Sequence, residues 1–266
     1  MKLREIFRFE LVYQVHHIRT WLYFAVLFIV ACLVTQNSIN DARNGGALAN
    51  SPFVIALTTV ICGLLWVLIG SGVAGSAAAR DVQTRMHPLI YATPISNADY
   101  LGGRFLAALA LNALILLAVP AGILLALFLP GVEPGILGPF LPAAHLLAYV
   151  VLALPTAFAV TAIQFSLAVL NRRAAVSYAG SVLLLVGVSI GAGAVINLLQ
   201  MPALGKLLDP IGYVTVVGVI SRTWTPLEKN TLLIGLQGSM IVNRIVWIGI
   251  GLGALAFTHR RFRYAR

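Results

Sequence analysis

Long apolar stretches, separated by shorter polar segments, make up most of this chain. A helix needs roughly 20 apolar residues to cross a bilayer, and the pattern predicts six helical spans. They cover approximately residues 21–35, 52–79, 105–129, 141–170, 174–199 and 240–258. No stretch shows the ten-residue alternation of apolar and polar positions that is typical of outer-membrane barrels. The pattern therefore predicts an all-α membrane protein.

The first 19 residues are too polar to cross a membrane, but they carry a helical pattern. Leu3, Phe7, Leu11 and Val15 recur at the spacing of one helix face. This pattern predicts an amphipathic helix over residues 1–19 that lies in the membrane surface. The alternative is a plain cytoplasmic extension of the first span.

The composition agrees with a chain that is surrounded by lipid. Of its 266 residues, 60% are hydrophobic and only 10% are charged, and the mean hydropathy is +0.94. Soluble domains carry about 25% charged residues. The chain therefore has too few polar residues to cover a water-exposed surface. We predict a bundle over residues 20–258 and a basic tail over residues 259–266.

The net charge of +10 is distributed unevenly between the two sides of the predicted bundle. Of the 18 basic residues, 13 fall in segments on the side of the N-terminus. These are Lys2, Arg4, Arg8, Arg19, Arg80, Arg85, Arg104, Arg172, Arg173, Arg260, Arg261, Arg263 and Arg266. The positive-inside rule then predicts that both termini are cytoplasmic. It also accounts for the positive charge without a nucleic-acid partner.

All eight acidic residues fall outside the predicted spans. Carriers driven by protons or sodium usually keep ionisable residues near the membrane midplane, so energy is expected to come from another subunit. The sequence has no HExxH motif, no paired intramembrane aspartates and no GxSxG motif. It also lacks a phosphate-binding P-loop. We therefore predict neither an enzyme nor a cofactor on this chain.

The polar segment 80–104 contains a short apolar element between two prolines. Pro88 and Pro94 flank Leu89, Ile90 and Tyr91. A short apolar helix on the cytoplasmic side suits docking into a groove on a partner. The alternative is that it packs against the cytoplasmic end of its own bundle. Further along the segment, a capping-box pattern at Ser96 and Asp99 predicts the start of the helix that leads into the third span.

The same segment carries a family resemblance. The runs that carry it are Arg80-Asp81, Thr93-Pro94-Ile95-Ser96 and Tyr100-Leu101-Gly102-Gly103-Arg104-Phe105-Leu106. In this order they resemble the loop between the second and third helices of type-2 (export class) ATP-binding-cassette permeases. The order of elements along the whole chain is similar to that family. The resemblance implies that the loop forms a coupling helix, which receives the motion of the ATPase.

The resemblance also implies the coupling residues and the partners. The expected coupling residues are Arg80, Asp81, Arg85, Met86, Pro88, Leu89, Ile90, Tyr91 and Pro94. The expected partners are a separate ATPase subunit that holds ATP and magnesium, a second permease bundle in a homodimer or heterodimer, and membrane lipid. The expected location is the bacterial cytoplasmic (inner) membrane.

The polar, amphipathic segment 200–239 carries a second resemblance. The runs are Leu208-Asp209-Pro210-Ile211-Gly212, residues 221–231 and Asn243-Arg244-Ile245-Val246-Trp247. They resemble the branch of these permeases whose longer members also carry a zinc aminopeptidase domain. The resemblance implies that residues 200–239 re-enter the membrane from outside. Because the chain has no zinc motif, no peptidase activity is expected. Thr225 and Glu228 form another capping-box pattern, and Arg244 is expected to reach the outer headgroups.

Four polar residues fall inside the predicted third and fourth spans, namely Asn112, Thr156, Thr161 and Gln164. They are candidates for lining a translocation path, and hydrogen bonding between helices is the alternative. The expected function is that of an exporter permease with alternating access. Two rivals remain: a membrane subunit that passes ATPase motion to another protein without moving a solute, and a membrane-embedded enzyme without a recognisable motif.

Overall fold

The computed structural model describes residues 2–86, 95–130, 132–235 and 238–262. Within these ranges the backbone forms helices and turns, with no strand. Five of the helices are long and apolar enough to cross a membrane. The prediction of an all-helical, multi-pass membrane protein is therefore confirmed.

The long helices cover the predicted spans, although the first of them continues to Arg43, well past the predicted end of the first span near residue 35. The N-terminal helix α1 and the five long helices are α1 Lys2–Val15, α2 Ile18–Arg43, α3 Pro52–Gln83, α4 Asn97–Leu127, α5 Pro142–Asn171 and, at the end of the chain, α11 Ser239–Arg261. Helix α3 begins where the Ser51 hydroxyl caps the backbone and a proline occupies the first position, which is the usual chemistry of a helix start.

The fifth predicted span is helical but interrupted. It consists of α6 Ala175–Val186, a π-helical turn Gly187–Ala192 and the short helix α7 Gly193–Asn197. None of these pieces is a single helix of spanning length, so the exact layout of six spans is not established by helix length. A π-helical turn, Ala148–Ala153, also lies within α5.

Three short helices occupy the segment before the last long helix. They are α8 Pro202–Leu207, α9 Val214–Thr223 and α10 Pro226–Thr231. The predicted capping box starts α10: the Thr225 hydroxyl accepts a hydrogen bond from the Glu228 N–H, and Glu228 accepts one from the Thr225 N–H. These hydrogen bonds from Thr225 lower the pKa of Glu228 below its usual value.

Helix α3 lies at the centre of the bundle and packs against α2, α4, α5 and α6. In its most apolar stretch 67% of the residues are buried, against 22% in α2 and in α11. Helices α2 and α11 are therefore peripheral. Their outward faces carry large apolar side chains such as Ile29, Leu33, Ile245 and Leu252, which suits contact with lipid.

Two predicted boundaries were wrong at the end of the bundle that carries α1. Helix α3 continues to Gln83, and α4 already begins at Asn97, so only residues 84–96 connect them. The prediction that all acidic residues lie outside the spans is wrong for three residues near the ends of the long helices, namely Asp41, Asp81 and Asp99. Helix α3 continues because Asp81 finds buried partners. It ends at Arg85, whose φ of 59° is left-handed, and the Met86 N–H bonds to the Asp81 carbonyl, as in a Schellman motif.

Candidate functional site

A buried ion pair joins α1 to α3 at this end of the bundle. Glu10 is only 1% exposed. The Arg80 guanidinium donates one hydrogen bond to each carboxylate oxygen of Glu10, at 3.1 and 2.7 Å. This bidentate geometry is the strong form of an arginine–carboxylate contact. The Gln14 side chain donates a further hydrogen bond to Glu10 at 2.7 Å.

A second ion pair joins α3 to α4 one residue further along. The Asp81 carboxylate accepts a hydrogen bond from the Tyr100 hydroxyl at 2.9 Å and another from the Arg104 guanidinium. Arg104 also donates to the Ala77 carbonyl at 2.7 Å. The Arg104 Nη2 atom lies 4.0 Å from a Glu10 oxygen, so the two pairs form one continuous group. We call Glu10, Arg80, Asp81, Arg104 and Tyr100 the charge network.

Aromatic rings surround the charge network. The Arg80 guanidinium lies 4.1 Å from the ring centre of Tyr13 and 5.6 Å from that of Phe9, within the range of cation–π attraction. Tyr100 stacks against Phe262, which follows the last helix, at 5.8 Å between ring centres. The network therefore ties α1, α3, α4 and the end of α11 together next to the segment 84–96.

Two glycines let α1 approach α4 closely. A Cβ atom at Gly103 would lie 2.9 Å from Ile6 side-chain atoms and 3.0 Å from the Leu3 carbonyl oxygen. At Gly102 the nearest atom would be the tip of Leu3 at 3.3 Å. The pair of glycines in the family-like motif thus marks the crossing of these two helices.

The expected coupling residues divide into three groups. Arg80 and Asp81 belong to the charge network, and Arg85 and Met86 are exposed just after α3. The expected coupling residues Pro88, Leu89, Ile90, Tyr91 and Pro94 lie outside the described residues.

Sequence reasoning missed Glu10 and Arg104 as members of this site. The helical spacing of the sequence could have indicated Glu10. It lies three residues after Phe7 and four before Gln14, and so on the face of α1 that packs against α4. A carboxylate on a face that is otherwise largely apolar needs a partner when it is buried. Arg104 stood in the family-like motif, but nothing in the sequence identified Asp81 as its partner.

The polar residues inside α4 and α5 are buried and hydrogen-bonded between helices. The Asn112 amide donates to the Thr161 hydroxyl at 2.9 Å. The Gln164 amide donates to the Val67 carbonyl and to the Ser181 hydroxyl, both at 2.8 Å. These contacts join α3, α4, α5 and α6. The hydrogen bonds expected as one alternative are present, and the path-lining role of these residues stays a prediction.

Thr156 and Arg244 form a further buried group with the loop before α9. The Arg244 guanidinium donates to the Pro210 carbonyl at 2.7 Å, the Ile211 carbonyl at 3.2 Å and the Thr156 hydroxyl at 3.2 Å. From the other side, the Asp209 carboxylate accepts hydrogen bonds from the backbone N–H groups of residues 211 and 214.

The expectation that Arg244 reaches the outer headgroups is therefore wrong. Arg244 is only 3% exposed. The loop before α9 packs against the face of α11 that carries Arg244. Its backbone carbonyl oxygens accept hydrogen bonds from the guanidinium, which therefore stays inside the protein.

These features define the protein as an all-helical, multi-pass membrane protein with a buried charge network at one end of its bundle. No protein-family model matches the chain, and no curated protein is found to match it. Within the part of the chain that the structure describes, no group of three or more histidine, cysteine, aspartate or glutamate side chains is arranged to hold a metal ion.

Proposed function

We propose that the chain is the permease subunit of an ATP-binding-cassette exporter, and that the segment 84–96 couples it to a separate ATPase. The observation that carries this proposal is the charge network. The segment begins three residues after Asp81 and ends eight residues before Arg104, and the side chains of Asp81 and Arg104 are hydrogen-bonded to each other. A force applied to the segment would therefore move α3 and α4 together.

The burial of the network supports transmission into the bundle. Glu10, Asp81 and Arg104 are each at most 5% exposed. Removing one partner of a buried ion pair typically costs about 3–5 kcal/mol, so these helix ends resist separation. Because Arg80 also holds Glu10, a displacement of the segment would carry α1 along.

In the proposed topology the chain crosses a bacterial inner membrane six times. Helices α2 to α5 make the first four spans, the interrupted helix from α6 to α7 makes the fifth, and α11 makes the sixth. Helix α1 lies in the cytoplasmic interface, and the segment containing α8 to α10 re-enters from outside. The excess of basic residues on one side, 13 of 18, supports cytoplasmic termini.

The proposed working unit contains two permease bundles and two ATPase domains. The ATPase chains bind ATP and magnesium. The cycle of ATP binding and hydrolysis opens a path between the two bundles alternately to each side of the membrane. A second candidate is a subunit that transmits ATPase motion to another protein without moving a solute. It is favoured by one observation: Asn112, Thr161 and Gln164 are fully buried and bonded to neighbouring helices.

The direct test replaces Leu89 and Ile90 by serine and isolates the permease with its ATPase, identified by its Walker motifs. Burying each large apolar side chain contributes about 1.5–3 kcal/mol, so the double variant should lose at least about a hundredfold in ATPase affinity. The variant should reach the membrane in normal amount but fail to retain the ATPase or to stimulate hydrolysis. The matched control replaces Leu227 and Leu232, two exposed leucines around α10.

Two outcomes would contradict the proposal. If the Leu89 and Ile90 variant keeps both the ATPase and its activity, the segment does not couple the two subunits. If no ATPase accompanies the wild-type chain, the exporter assignment itself is wrong. ATP-dependent uptake of fluorescent amphipathic compounds into inside-out vesicles then separates transport from motion transfer alone.

A further inference from the structure

A polar cavity of about 270 Å³ lies between α1, α2, α3 and α6, next to the charge network. Its lining includes His17, Arg19, Tyr23, Gly72, Arg80 and Tyr178. The cavity lies where α2 begins, on the side of the bundle that carries α1. Trp21, in the first turn of α2, is 53% exposed and donates its indole N–H to the Val15 carbonyl. An exposed tryptophan at the end of a spanning helix is typical of the membrane interface.

Two tyrosine hydroxyl groups meet inside this cavity, above a glycine. A Cβ atom at Gly72 would come within 2.7 Å of the Tyr23 hydroxyl and 2.9 Å of the Tyr178 hydroxyl. Both hydroxyl oxygens therefore lie close to the same point on α3. The absence of a side chain at position 72 thus provides the space in which both hydroxyls converge, and a hydroxyl pair can donate to an oxygen-rich ligand.

The charge in the cavity favours an anion. Among the described residues, two arginines line it and no carboxylate does. Arg80 is held by Glu10, but Arg19 is exposed and forms no ion pair with a carboxylate among the described residues. His17, which is also exposed, adds a nitrogen donor or acceptor at the same place.

An apolar surface adjoins the polar cavity. An open groove of about 720 Å³ along the outer face of α1 shares Tyr13 and His17 with the cavity, and Glu5 and Arg8 lie at the same groove. On this face Phe9 is 65% exposed and Val12 is 48% exposed. A polar, basic pocket that continues into an apolar surface is suited to a ligand with an anionic head and hydrocarbon chains.

We propose that the polar cavity binds the phosphate headgroup of an anionic phospholipid, whose acyl chains lie against the apolar face of α1. Basic pockets between helices near the cytoplasmic surface are typical sites for anionic lipid headgroups. Arg19 supplies the unpaired positive charge, and the two tyrosine hydroxyls supply hydrogen-bond donors. The bound lipid would fill the junction of α1, α2, α3 and α6 and so stabilise the position of α1 beside the charge network.

The test measures lipid binding to the purified, delipidated protein in detergent by native mass spectrometry. Phosphatidylglycerol is titrated against wild-type protein and an Arg19→Gln variant. One basic residue near a membrane surface contributes an attraction that corresponds to about fivefold in affinity, so the variant should bind at least about fivefold more weakly. The matched control is Arg173→Gln, an exposed arginine on the same side of the bundle, which should bind as the wild type does.

Further arms test the headgroup chemistry. A variant with Tyr23→Phe and Tyr178→Phe should also bind more weakly while eluting as the same monodisperse species. Phosphatidylcholine should bind at least about fivefold more weakly than phosphatidylglycerol. Three results would overturn the proposal: equal binding by the wild type and Arg19→Gln, equal binding of the two lipids, or displacement of the lipid by soluble glycerol phosphate at the same concentration.

Discussion

At the scale of single residues, the buried charged side chains in the described part of the chain each have partners. Glu10 is held by Arg80 and Gln14, and Asp81 is held by Tyr100 and Arg104. With two acids and two bases, the group is neutral as a whole. Burial of charges is costly unless they are paired and hydrogen-bonded. The network therefore fixes which residues of α1, α3 and α4 face each other.

We expect Glu10→Gln to destabilise the protein by about 3 kcal/mol, because it removes the bidentate partner of Arg80 and leaves only the more distant Asp81 carboxylate, 4.0 Å from the Arg80 Nε atom. The change is measured by unfolding in detergent with increasing denaturant. Glu5→Gln, on the exposed face of the same helix, is the control and should stay within about 0.5 kcal/mol of the wild type. Equal stability of the two variants would mean that the pair is not formed.

At the scale of helices, the position of α1 depends on its crossing with α4. The contact is close because two consecutive glycines occupy the crossing point, and the charge network lies directly beside it. Helix α5 and the helix from α6 to α7 each contain a π-helical turn. Such turns leave backbone groups out of the regular helical ladder and are frequent at functional sites.

We expect Gly103→Ala to weaken the contact between α1 and α4, whereas Gly102→Ala should be tolerated. Both changes gain about 1 kcal/mol of helix propensity, but only the methyl group at Gly103 would meet backbone and Cβ atoms that cannot move aside. Such overpacking costs about 1–3 kcal/mol. Faster amide hydrogen exchange in residues 2–15 of Gly103→Ala, but not of Gly102→Ala, is the expected result. Identical exchange in both variants would contradict the close crossing.

At the scale of the whole molecule, opposite ends of the bundle are built differently. One end carries the charge network and the segment 84–96. At the other end, the loop between α2 and α3 contacts α10, because the Leu48 N–H donates a hydrogen bond to the Asn230 side chain at 2.9 Å. Lys229 also lies 5.3 Å from the ring centre of Phe53. The loop and α10 therefore lie on the same side of the bundle.

The proposed topology predicts which positions can be labelled from outside the cell. In a chain without its own cysteines Cys32 and Cys62, single cysteines at Ala47 and Leu227 should react with a membrane-impermeant thiol reagent. A cysteine at Thr84 should react only after the membrane is permeabilised. Labelling at Thr84 in intact cells would show that the proposed orientation is inverted.

The sequence alone determined the features that depend on neighbouring residues. The apolar runs predicted the long helices, because the length of a bilayer span is a property of one segment. The capping box at Thr225 was predicted correctly, since both partners lie three residues apart. At Ser96 the predicted helix start is present and the hydroxyl caps it, but Asp99 accepts a hydrogen bond from that hydroxyl and not from the Ser96 N–H. The existence of α1 followed from its helical spacing. The coupling role of residues 88–91 stays a prediction.

Tertiary structure decided the features that join distant parts of the chain. Glu10 and Arg80 are 70 positions apart in the sequence, and Thr156 and Arg244 are 88 positions apart, yet each pair is hydrogen-bonded. A sequence pattern indicates that a polar residue is present, but whether it is exposed or buried depends on which helix packs against it. Arg244 was therefore wrongly expected at the headgroups, and Asp81 outside the spans. The free energy of a buried charge is set by partners that only the folded bundle brings within hydrogen-bonding distance.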